Sequence, residues 1–443
     1  MLSNSHILYF IPEWDDLVSK YYNFETDQDE NKNERVYSHE IYSKPNYDGI
    51  LTSRMKLEQS KSKIKQIIDS GGVHNFFRFK GPIFGDCGAW GYVKENTPPF
   101  KTKEIMSFYE ELKFDIAVSI DHLCIPGYEN QWDYRKKLTI KNAEEFYYKY
   151  IEGDYSFQPV GVCQGWDTES YMDSVKNVLD IGYTYIALGG IARAKSSEIL
   201  TILRSIKPLL EKNSSTIKLH LFGVARLEAT RQFNALGVTS IDSASPLRTA
   251  WLSSTKNYRD MNWNGYSAIR LPFITREAKY KSIVQKGIYS FEELESKEQD
   301  IKTMLNRYNL YQDRTPEEIA EAFNYFYEEL IPKTPNRVKE YLRTLKNRPW
   351  ENCKCEICTE VGMEVIIFRG NNRNRRRGFH NTYVFYSLMK RLLEDPDFNL
   401  AGEFTDGDDD GNDENGGDED FDPEETVIIS AKNKNTKNLI DFM

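Results

Sequence analysis

The chain has 443 residues, of which 40% are hydrophobic and 13% aromatic, so it exceeds a small single domain and can bury a sizeable core. No apolar run approaches the roughly 18 residues that a membrane span needs, and no secretory leader is recognisable, so we expect a soluble, cytoplasmic protein without membrane contact. Three of the six cysteines are far apart in sequence, which favours a reducing compartment over a disulfide framework.

The net charge of −10 is concentrated near the end of the chain. Thirteen Asp and Glu residues, with no Lys or Arg, lie between positions 403 and 425, and without them the net charge of the chain is +3. The remaining chain is mildly basic, so polyanion binding stays open. The segment 401–443 begins with this Asp/Gly/Asn-rich run, which cannot bury a core, and we predict a disordered acidic tail there.

Short apolar runs rich in β-branched and aromatic residues predict strands. They are "HILYFIP" (6–12), "FDIAVSID" (114–121), "FQPVGVCQG" (157–165), "YTYIALGG" (183–190), "IKLHLFGVA" (217–225) and "VTSIDSAS" (238–245). Segments of helical period, such as "DTESYMDSVKNVLDIG", separate the later runs. The alternation indicates parallel βαβ units whose strands are buried on both faces.

Polar and glycine residues recur at the C-terminal ends of these predicted strands. They are Asp121, Gln164, Gly189, Gly190, Gly223 and Asp242. This is the edge at which a TIM barrel places its active site. The sequence therefore predicts an α/β fold, a (β/α)8 TIM barrel over residues 1–300.

A different pattern follows residue 300. Thr315 and Glu318 form a capping-box signature with Pro316 at the first helical position, which predicts a helix. "CKCEIC" comes next, and a segment of helical period begins at His380. We predict a C-terminal helical, zinc-binding subdomain over residues 301–400.

The ligands of that zinc site are predicted to be Cys353, Cys355, Cys358 and His380, in the pattern C-x-C-x2-C-x21-H. Three thiolates and one imidazole suit tetrahedral zinc, and four protein ligands leave no open position for catalysis, so the zinc would be structural. The alternative is three incidental cysteines beside an unrelated histidine.

Four arginines precede His380: Arg373, Arg375, Arg376 and Arg377. Guanidinium groups at this density suit phosphate contacts, so we predict that they bind nucleic acid from a loop. A solvated loop without a ligand is the alternative.

Two aspartates are candidates for chemistry. Asp86 lies in the glycine-flanked turn "FGDCGAWGY", and Asp242 ends a predicted strand in "SIDSASPLR". Each alone is more typical of a turn or helix cap. Their meaning depends on the motifs around them.

Taken in order, the motifs resemble the tRNA-guanine transglycosylase superfamily, TIM barrels with a Cys3His zinc unit near the C-terminus. The matching segments are "GDCGAW", "SIDH", "VCQGW", "LGGIAR", "FGVAR", "DSASPLR", "CKCEIC" and the "HN" at 380–381. Cys87, Ala89 and Leu247 depart from the tRNA enzymes. "YDGILTSR", "GGVHNFFRF" and "NWNGYSAIRLP" resemble instead the DNA-acting branch, the DpdA proteins, which exchange guanine in DNA for 7-cyano-7-deazaguanine (preQ0).

The resemblance implies roles for these residues. Asp242 would be the nucleophile on C1′, and Asp86 would protonate the leaving guanine and deprotonate the incoming base. Asp121, Gln164 and the Gly189–Gly190 pair would bind the base, whereas Arg248 would contact nucleic acid.

The resemblance also implies a partner protein that opens DNA, of ATPase type, because no ATP-binding motif is evident in the chain. Two alternatives remain open at this point. One is the same chemistry on tRNA, and the other is an inactive barrel that binds nucleic acid through its zinc unit.

Overall fold

The computed structural model describes residues 7–31, 33–213, 217–271, 273–274, 278–330 and 337–401. Its centre is a closed barrel of eight parallel strands, as the sequence predicts. The strands are β1 (Leu8–Pro12), β2 (Gly49–Ser53), β3 (Ile83–Asp86), β4 (Ile116–Val118), β5 (Gln158–Cys163), β6 (Tyr185–Leu188), β7 (Lys218–Leu221) and β8 (Ser240–Asp242). β8 pairs with β1, with Phe10 opposite Asp242, and this pairing closes the barrel.

Helices surround the barrel. They are α1 (Lys61–Asp69), α2 (Thr102–Leu112), α3 (Trp132–Glu152), α4 (Thr168–Ile181), α5 (Ser196–Asn213), α6 (Thr230–Ala235) and α7 (Ser245–Leu252). Short helical segments accompany them at Ser38–Ile41, Arg54–Glu58, Val73–Phe77, Ala89–Tyr92, Glu129–Gln131 and Leu227–Ala229. Between β1 and β2 the chain forms two small antiparallel pairs, Val18–Ser19 with Arg35–Val36 and Tyr22–Asn23 with Gln28–Asp29.

The barrel has two apolar layers because successive strand residues face opposite sides. A small cluster that includes Phe10, Phe84 and Val162 fills the interior. The larger cluster, which includes Tyr9 and Ile11 of β1, packs between the strands and the helices. Burial on both faces accounts for the near-continuous apolar runs in the sequence.

The C-terminal part is helical. Its helices are α8 (Ala278–Gln285), α9 (Phe291–Tyr311), α10 (Pro316–Leu330), α11 (Val338–Asn347), α12 (Glu356–Val361) and α13 (Gly370–Glu394), with short segments at Pro349–Asn352 and Gly362–Ile366. Two-residue strands pair Tyr258–Arg259 with Gly265–Tyr266 and Ile269–Arg270 with Ile367–Phe368. The predicted capping box is confirmed: Thr315 Oγ1 accepts from the Glu318 N–H (3.1 Å), and Glu318 accepts from the Thr315 N–H (2.7 Å).

Helix α13 packs along α7, which directly follows the last barrel strand. Helix α7 belongs to the predicted barrel range 1–300 and α13 to the predicted subdomain range 301–400, so the two ranges share an interface. The division of the chain at residue 300 stays a prediction. The acidic tail lies almost entirely outside the described residues. Among the helices that the structure describes, none is long and apolar enough to cross a membrane.

Candidate active site and metal centre

The C-terminal ends of the barrel strands carry most of the predicted active-site residues. Asp86 is the last residue of β3, Asp242 is the last of β8, and Asp121 follows β4. Asp86 and Asp121 present carboxylate oxygens within 4.8 Å of each other. Asp242 is close enough to act electrostatically on Asp86. The structure thus brings three carboxylates together at the barrel mouth.

Asp86 is the carboxyl group whose pKa this crowding changes most clearly. Burial, followed by the negative charges of Asp121 and Asp242, raises the pKa of Asp86 to about 7, although the Gly88 N–H donates to its Oδ2 at 3.0 Å. Near neutral pH this group is therefore present in both protonation states, which suits a residue that gives up and takes back a proton.

Asp242 is buried and held from one side. Its Oδ1 accepts from the backbone N–H of Gly223 at 2.9 Å and from His220 Nε2 at 3.0 Å. Oδ2 has no hydrogen bond to the residues that the structure describes, so it is free for a substrate atom. Our sequence predictions did not include His220, the third residue of β7.

Asp121 and Gln164 form one unit. Gln164 Nε2 donates to Asp121 Oδ2 at 2.5 Å, and Gln164 Oε1 accepts from the Cys124 N–H at 3.3 Å. Cys87 Sγ donates to Asp121 Oδ1 at 3.0 Å. Cys87, one of the positions that depart from the tRNA enzymes, therefore bonds directly to Asp121. Burial, with Asp121 and Asp86 nearby, raises the pKa of this thiol well above its usual value, so it is protonated and can donate.

Gly189 and Gly190 lie against this unit. A Cβ at Gly189 would lie 2.2 Å from Gln164 Nε2, and one at Gly190 would lie 2.9 Å from Gln164 Oε1. Gly190 also has a φ of +78°, which is unfavourable for other residues. A side chain at either position would displace the Gln164 amide from its place beside Asp121.

The two tryptophans beside these motifs differ in exposure. Trp90 is 46% exposed, and the Arg193 guanidinium lies 5.3 Å from its ring centroid. Trp166 instead stacks on Trp132, with 5.5 Å between ring centroids and an interplanar angle of 16°. Trp90 is therefore the more exposed of the two.

The predicted metal ligands are brought together. Cys353, Cys355, Cys358 and His380 are buried, with their candidate ligand atoms within 4.8 Å of one another. Their sulfurs lie 3.7, 3.4 and 3.3 Å from His380 Nδ1. A tetrahedral zinc ion with bonds of about 2.3 Å to sulfur and about 2.0 Å to nitrogen would separate these atoms by about 3.6 Å. The cluster can therefore hold a metal ion of this kind.

Surrounding groups fix the orientation of the histidine. His380 Nε2 donates to the carbonyl of Arg259 at 2.7 Å, which leaves Nδ1 as the ligand atom. The Tyr258 ring stacks on His380 at 4.1 Å. Asn381 accepts from the Arg259 N–H and donates to the Asn257 carbonyl, which ties the 257–259 segment to α13.

The prediction that the arginines preceding His380 form a nucleic-acid-binding loop is wrong. Arg373, Arg375, Arg376 and Arg377 are buried in the first turns of α13, which begins at Gly370. Arg373 forms ion pairs with Asp27 and Glu364. Arg375 donates to the carbonyl of Leu17, and Arg376 donates to that of Ser19. Arg377 donates to the carbonyls of Ala250, Val365 and Ile367. Because these guanidinium groups bind protein, they are not available to phosphate.

Arg248 has a different environment. Its guanidinium lies 5.0 Å from the Trp14 ring centroid, beside Asp16, and the side chain is only partly buried. Its contact with nucleic acid stays a prediction.

Comparison with known proteins agrees with this geometry. A family model described as queuine tRNA-ribosyltransferase (TGT) matches residues 31–254, which include β2–β8 and the three carboxylates of the mouth. The fold and this match define an enzyme of the pentosyltransferase class. A DNA-guanine transglycosylase of Salmonella montevideo is 34% identical over 419 residues, covering 88% of this chain and 98% of that protein.

A second relative is more distant. A tRNA-guanine(15) transglycosylase of Nanoarchaeum equitans (strain Kin4-M) is 27% identical over 210 residues, which is 46% of this chain and 48% of that protein. The chain belongs to the tRNA-guanine transglycosylase superfamily, in the branch of its Salmonella relative.

Proposed function

We propose that this chain exchanges guanine in DNA for a 7-deazaguanine, preQ0, through a covalent glycosyl-aspartate. The observation that carries the proposal is the pair of aspartates at the barrel mouth. Asp86 has a pKa of about 7, and Asp242 is fixed through one oxygen with the other free. Two successive displacements at a sugar carbon require an acid that can give up its proton and a nucleophile that is fixed in position.

In the first displacement Asp242 Oδ2 attacks C1′ of the deoxyribose. The C1′–N9 bond breaks, its electron pair goes to the leaving guanine, and protonated Asp86 supplies the proton that the base takes away. The products are a deoxyribosyl ester of Asp242, neutral guanine and the Asp86 carboxylate.

In the second displacement the incoming base gives its N9 proton to Asp86. Its N9 electron pair bonds C1′, and the ester C–O bond breaks with its electrons returning to Asp242. Protons and charge balance over the cycle, and two inversions retain the configuration at C1′.

Recognition of the base falls to Asp121 and Gln164. The Asp121 oxygens can accept from N1–H and the 2-amino group of a guanine-like base, while Gln164 has a second N–H for O6. Adenine would leave these buried groups unpaired, so it should be rejected strongly. Trp90 offers an exposed ring on which a base could stack, and Arg248 is proposed to contact the DNA backbone.

The 34% sequence identity to the DNA-guanine transglycosylase of Salmonella montevideo, over most of both chains, supports DNA as the substrate. The likeness to the archaeal tRNA enzyme keeps tRNA as the second candidate. The inactive-barrel alternative is disfavoured because both aspartates are present in the mouth.

One incubation tests these candidates. The purified chain is given labelled guanine or preQ0 with DNA and, separately, with tRNA, and nucleosides are analysed by mass spectrometry. We expect label in DNA alone and none with Asp242→Ala. Label in tRNA alone would replace the DNA proposal, and the absence of label from both in the presence of cell extract would reject base exchange.

We propose zinc as the metal of the Cys3His cluster, with a structural role. The four ligands leave no coordination position for substrate, and the donor set and the sulfur–nitrogen distances support zinc. Bound zinc would fix the 353–358 segment to α13 and leave the chemistry to the aspartates.

We also propose a partner that opens DNA. A base stacked in duplex DNA must be extruded at a cost of a few kcal/mol before C1′ and the base edge can reach the barrel mouth. Exchange should therefore be slow on relaxed duplex and faster on single-stranded or bubble substrates of the same sequence. Equal rates on all three would contradict the need for a partner.

A further inference from the structure

We propose that His220 is a positioning residue for Asp242, acting as a neutral imidazole whose Nε2–H holds the nucleophile in one orientation. The inference rests on the proposed function, because it concerns how the proposed nucleophile is held. His220 lies on β7 directly opposite Ser240 of β8, in the parallel register that closes this side of the barrel. Asp242 is two residues further along β8 and faces the same side as Ser240.

A continuous chain of hydrogen bonds sets the tautomer. Tyr185 Oη and Ser240 Oγ are 2.7 Å apart, Ser240 Oγ and His220 Nδ1 are 2.9 Å apart, and His220 Nε2 and Asp242 Oδ1 are 3.0 Å apart. If Tyr185 donates to Ser240, and Ser240 donates to Nδ1, the single proton of a neutral imidazole is on Nε2 and points at the carboxylate. Ser240 Oγ then accepts once and donates once, and Tyr185 Oη donates once.

The surroundings of His220 are apolar. Its ring is fully buried between Phe10, Phe84 and Phe222, whose ring centroids lie 6.1, 4.9 and 4.7 Å away. The two ring nitrogens, facing Ser240 and Asp242, are the polar contacts of this ring. Because the ring has no exposed surface, His220 acts on the reaction only through Asp242.

The arrangement leaves the two oxygens of Asp242 with different tasks. His220 and the Gly223 N–H both donate to Oδ1, so Oδ2 is the atom directed at C1′. When the C1′–Oδ2 bond breaks in the second displacement, the electron pair returns to the carboxylate, and the two fixed donors stabilise that charge. Without the imidazole, Oδ1 keeps the Gly223 N–H, but the carboxylate is less firmly oriented and has one donor fewer.

Three variants separate the donor from the shape of the ring. His220→Phe keeps an aromatic ring and removes both nitrogens. His220→Gln places an amide N–H near the position of Nε2, whereas His220→Asn places it near Nδ1, away from Asp242. Thermal unfolding identifies the variants that fold, and if the Phe variant does not, the Gln and Asn variants carry the comparison.

Steady-state exchange on DNA is the main measurement. Loss of one fixed donor should lower kcat on the order of 100-fold in His220→Phe and His220→Asn. The KM values for DNA and base should stay unchanged, and His220→Gln should recover most of kcat. A Phe or Asn variant with wild-type kcat, or a Gln variant as impaired as the Asn variant, would overturn the role of the Nε2–H.

Two controls distinguish this failure from failure of the proposed function. If the wild-type chain exchanges no base in single-stranded or bubble DNA in the presence of cell extract, the proposed function has failed. If Asp242→Ala exchanges base at the wild-type rate, Asp242 is not the nucleophile. If the wild type is active and Asp242→Ala is inactive, the variants of His220 report on His220 alone.

The tautomer has its own spectroscopic test. Nitrogen-15 spectra of histidine-labelled protein, with His220 assigned by its loss in His220→Gln, should show one protonated nitrogen, Nε2. In Ser240→Ala the Nδ1 partner is removed, so we expect a mixture of tautomers and a partial loss of kcat. Two protonated nitrogens on His220 in the wild type would overturn the neutral imidazole.

Discussion

Asp86 connects its environment directly to the pH dependence of the reaction. Its pKa of about 7 is raised by burial and by the carboxylates of Asp121 and Asp242. Since the protonated form delivers the proton to guanine, formation of the covalent intermediate should slow as pH rises above about 7. Single-turnover trapping between pH 6 and 9 measures this, and Asp86→Asn should be slow at every pH. A flat wild-type profile would contradict the assignment of Asp86 as the acid.

The same raised pKa predicts a cost in stability. The native state binds the Asp86 proton more tightly than the unfolded chain, whose aspartates titrate near pH 3.9, so this group's contribution to stability falls as pH rises from about 4 to about 7. Asp86→Asn should therefore be more stable than wild type at pH 8 and similar at pH 4. Thermal unfolding at both pH values tests this, with the exposed Asp133→Asn as the control.

Asp27 shows the opposite behaviour in a buried network. Burial opposes its ionisation, but Arg373 and Arg369 outweigh burial and lower the pKa of Asp27, with Lys302 also bonded to it. Its contribution is therefore complete above the pKa of the unfolded chain, about 4, and is lost as pH falls through the lowered native pKa.

Asp27→Asn should destabilise the protein by about 3 kcal/mol near pH 7, because Arg373 and Arg369 each lose one carboxylate partner in a buried network and keep Glu364 and Glu298. Denaturant unfolding measures the loss. Asp29→Asn is a control in the same hairpin, since the 3.5 Å contact of Asp29 with Arg35 is more exposed. Equal losses for the two variants would show that the network around Asp27 has no special weight.

Sequence reasoning at the scale of single residues succeeded where spacing carried the signal. The three cysteines and His380 were predicted as a group, and the structure brings them together. His220 and the hydrogen bond of Cys87 were not predicted, because both depend on which residues of neighbouring strands lie opposite each other. One signal was present for His220, a lone polar side chain within the otherwise apolar strand run "LHLF".

At the scale of elements, the segment predicted as an arginine loop is the start of helix α13, and its buried arginines bind other segments of the chain. Arg377 is fully buried and donates to the carbonyls of Ala250, Val365 and Ile367. Burial lowers the pKa of Arg377 to about 9. The side chain joins α13 to the end of α7, the helix that follows Asp242.

Arg377→Met should destabilise the protein by about 3 kcal/mol, because several buried carbonyls lose their donor while the side-chain volume is roughly kept. Arg343→Met on the exposed face of α11 is the matched control, and we expect less than about 1 kcal/mol there. Chemical unfolding of both variants provides the comparison. A similarly small loss of unfolding free energy in both variants would contradict a stabilising role for Arg377.

Periodicity predicted the later barrel strands but missed two early ones. β2 and β3 lie in "GILTS" and "IFGD", short segments whose mixed polarity resembles turns. The α13 arginines were misread for a related reason. A run of like charges is normally solvated, and only the carbonyls of distant segments, which sequence does not reveal, make its burial favourable.

At the scale of the whole molecule, the Cys3His cluster lies where the 353–358 segment, α13 and the more distant Tyr258–Arg259 strand meet. Removing the metal should lower the melting temperature substantially, because three thiolates and a buried histidine lose the ion that holds them together. Chelator titration with metal analysis tests this, and Cys358→Ser should behave like the chelated protein. Cys163→Ser, a buried cysteine outside the cluster, should keep its full metal content.

The acidic tail carries a prediction of its own. If it is a solubilising extension, deleting residues 402–443 should leave DNA affinity at fixed salt and the melting temperature unchanged. Affinity that rises after deletion would instead favour a tail that mimics nucleic acid and competes with DNA.

The contacts of α13 also bear on the order in which the chain folds during synthesis. Arg376 donates to the carbonyl of Ser19, a residue 357 positions earlier, and Arg375 donates to the carbonyl of Leu17, a residue 358 positions earlier. The N-terminal hairpins therefore lack these partners until almost the whole described chain has left the ribosome. A polypeptide arrested before Gly370 would keep this region incomplete, so the hairpins, although made before β2–β8, reach their final packing only after α13 is available.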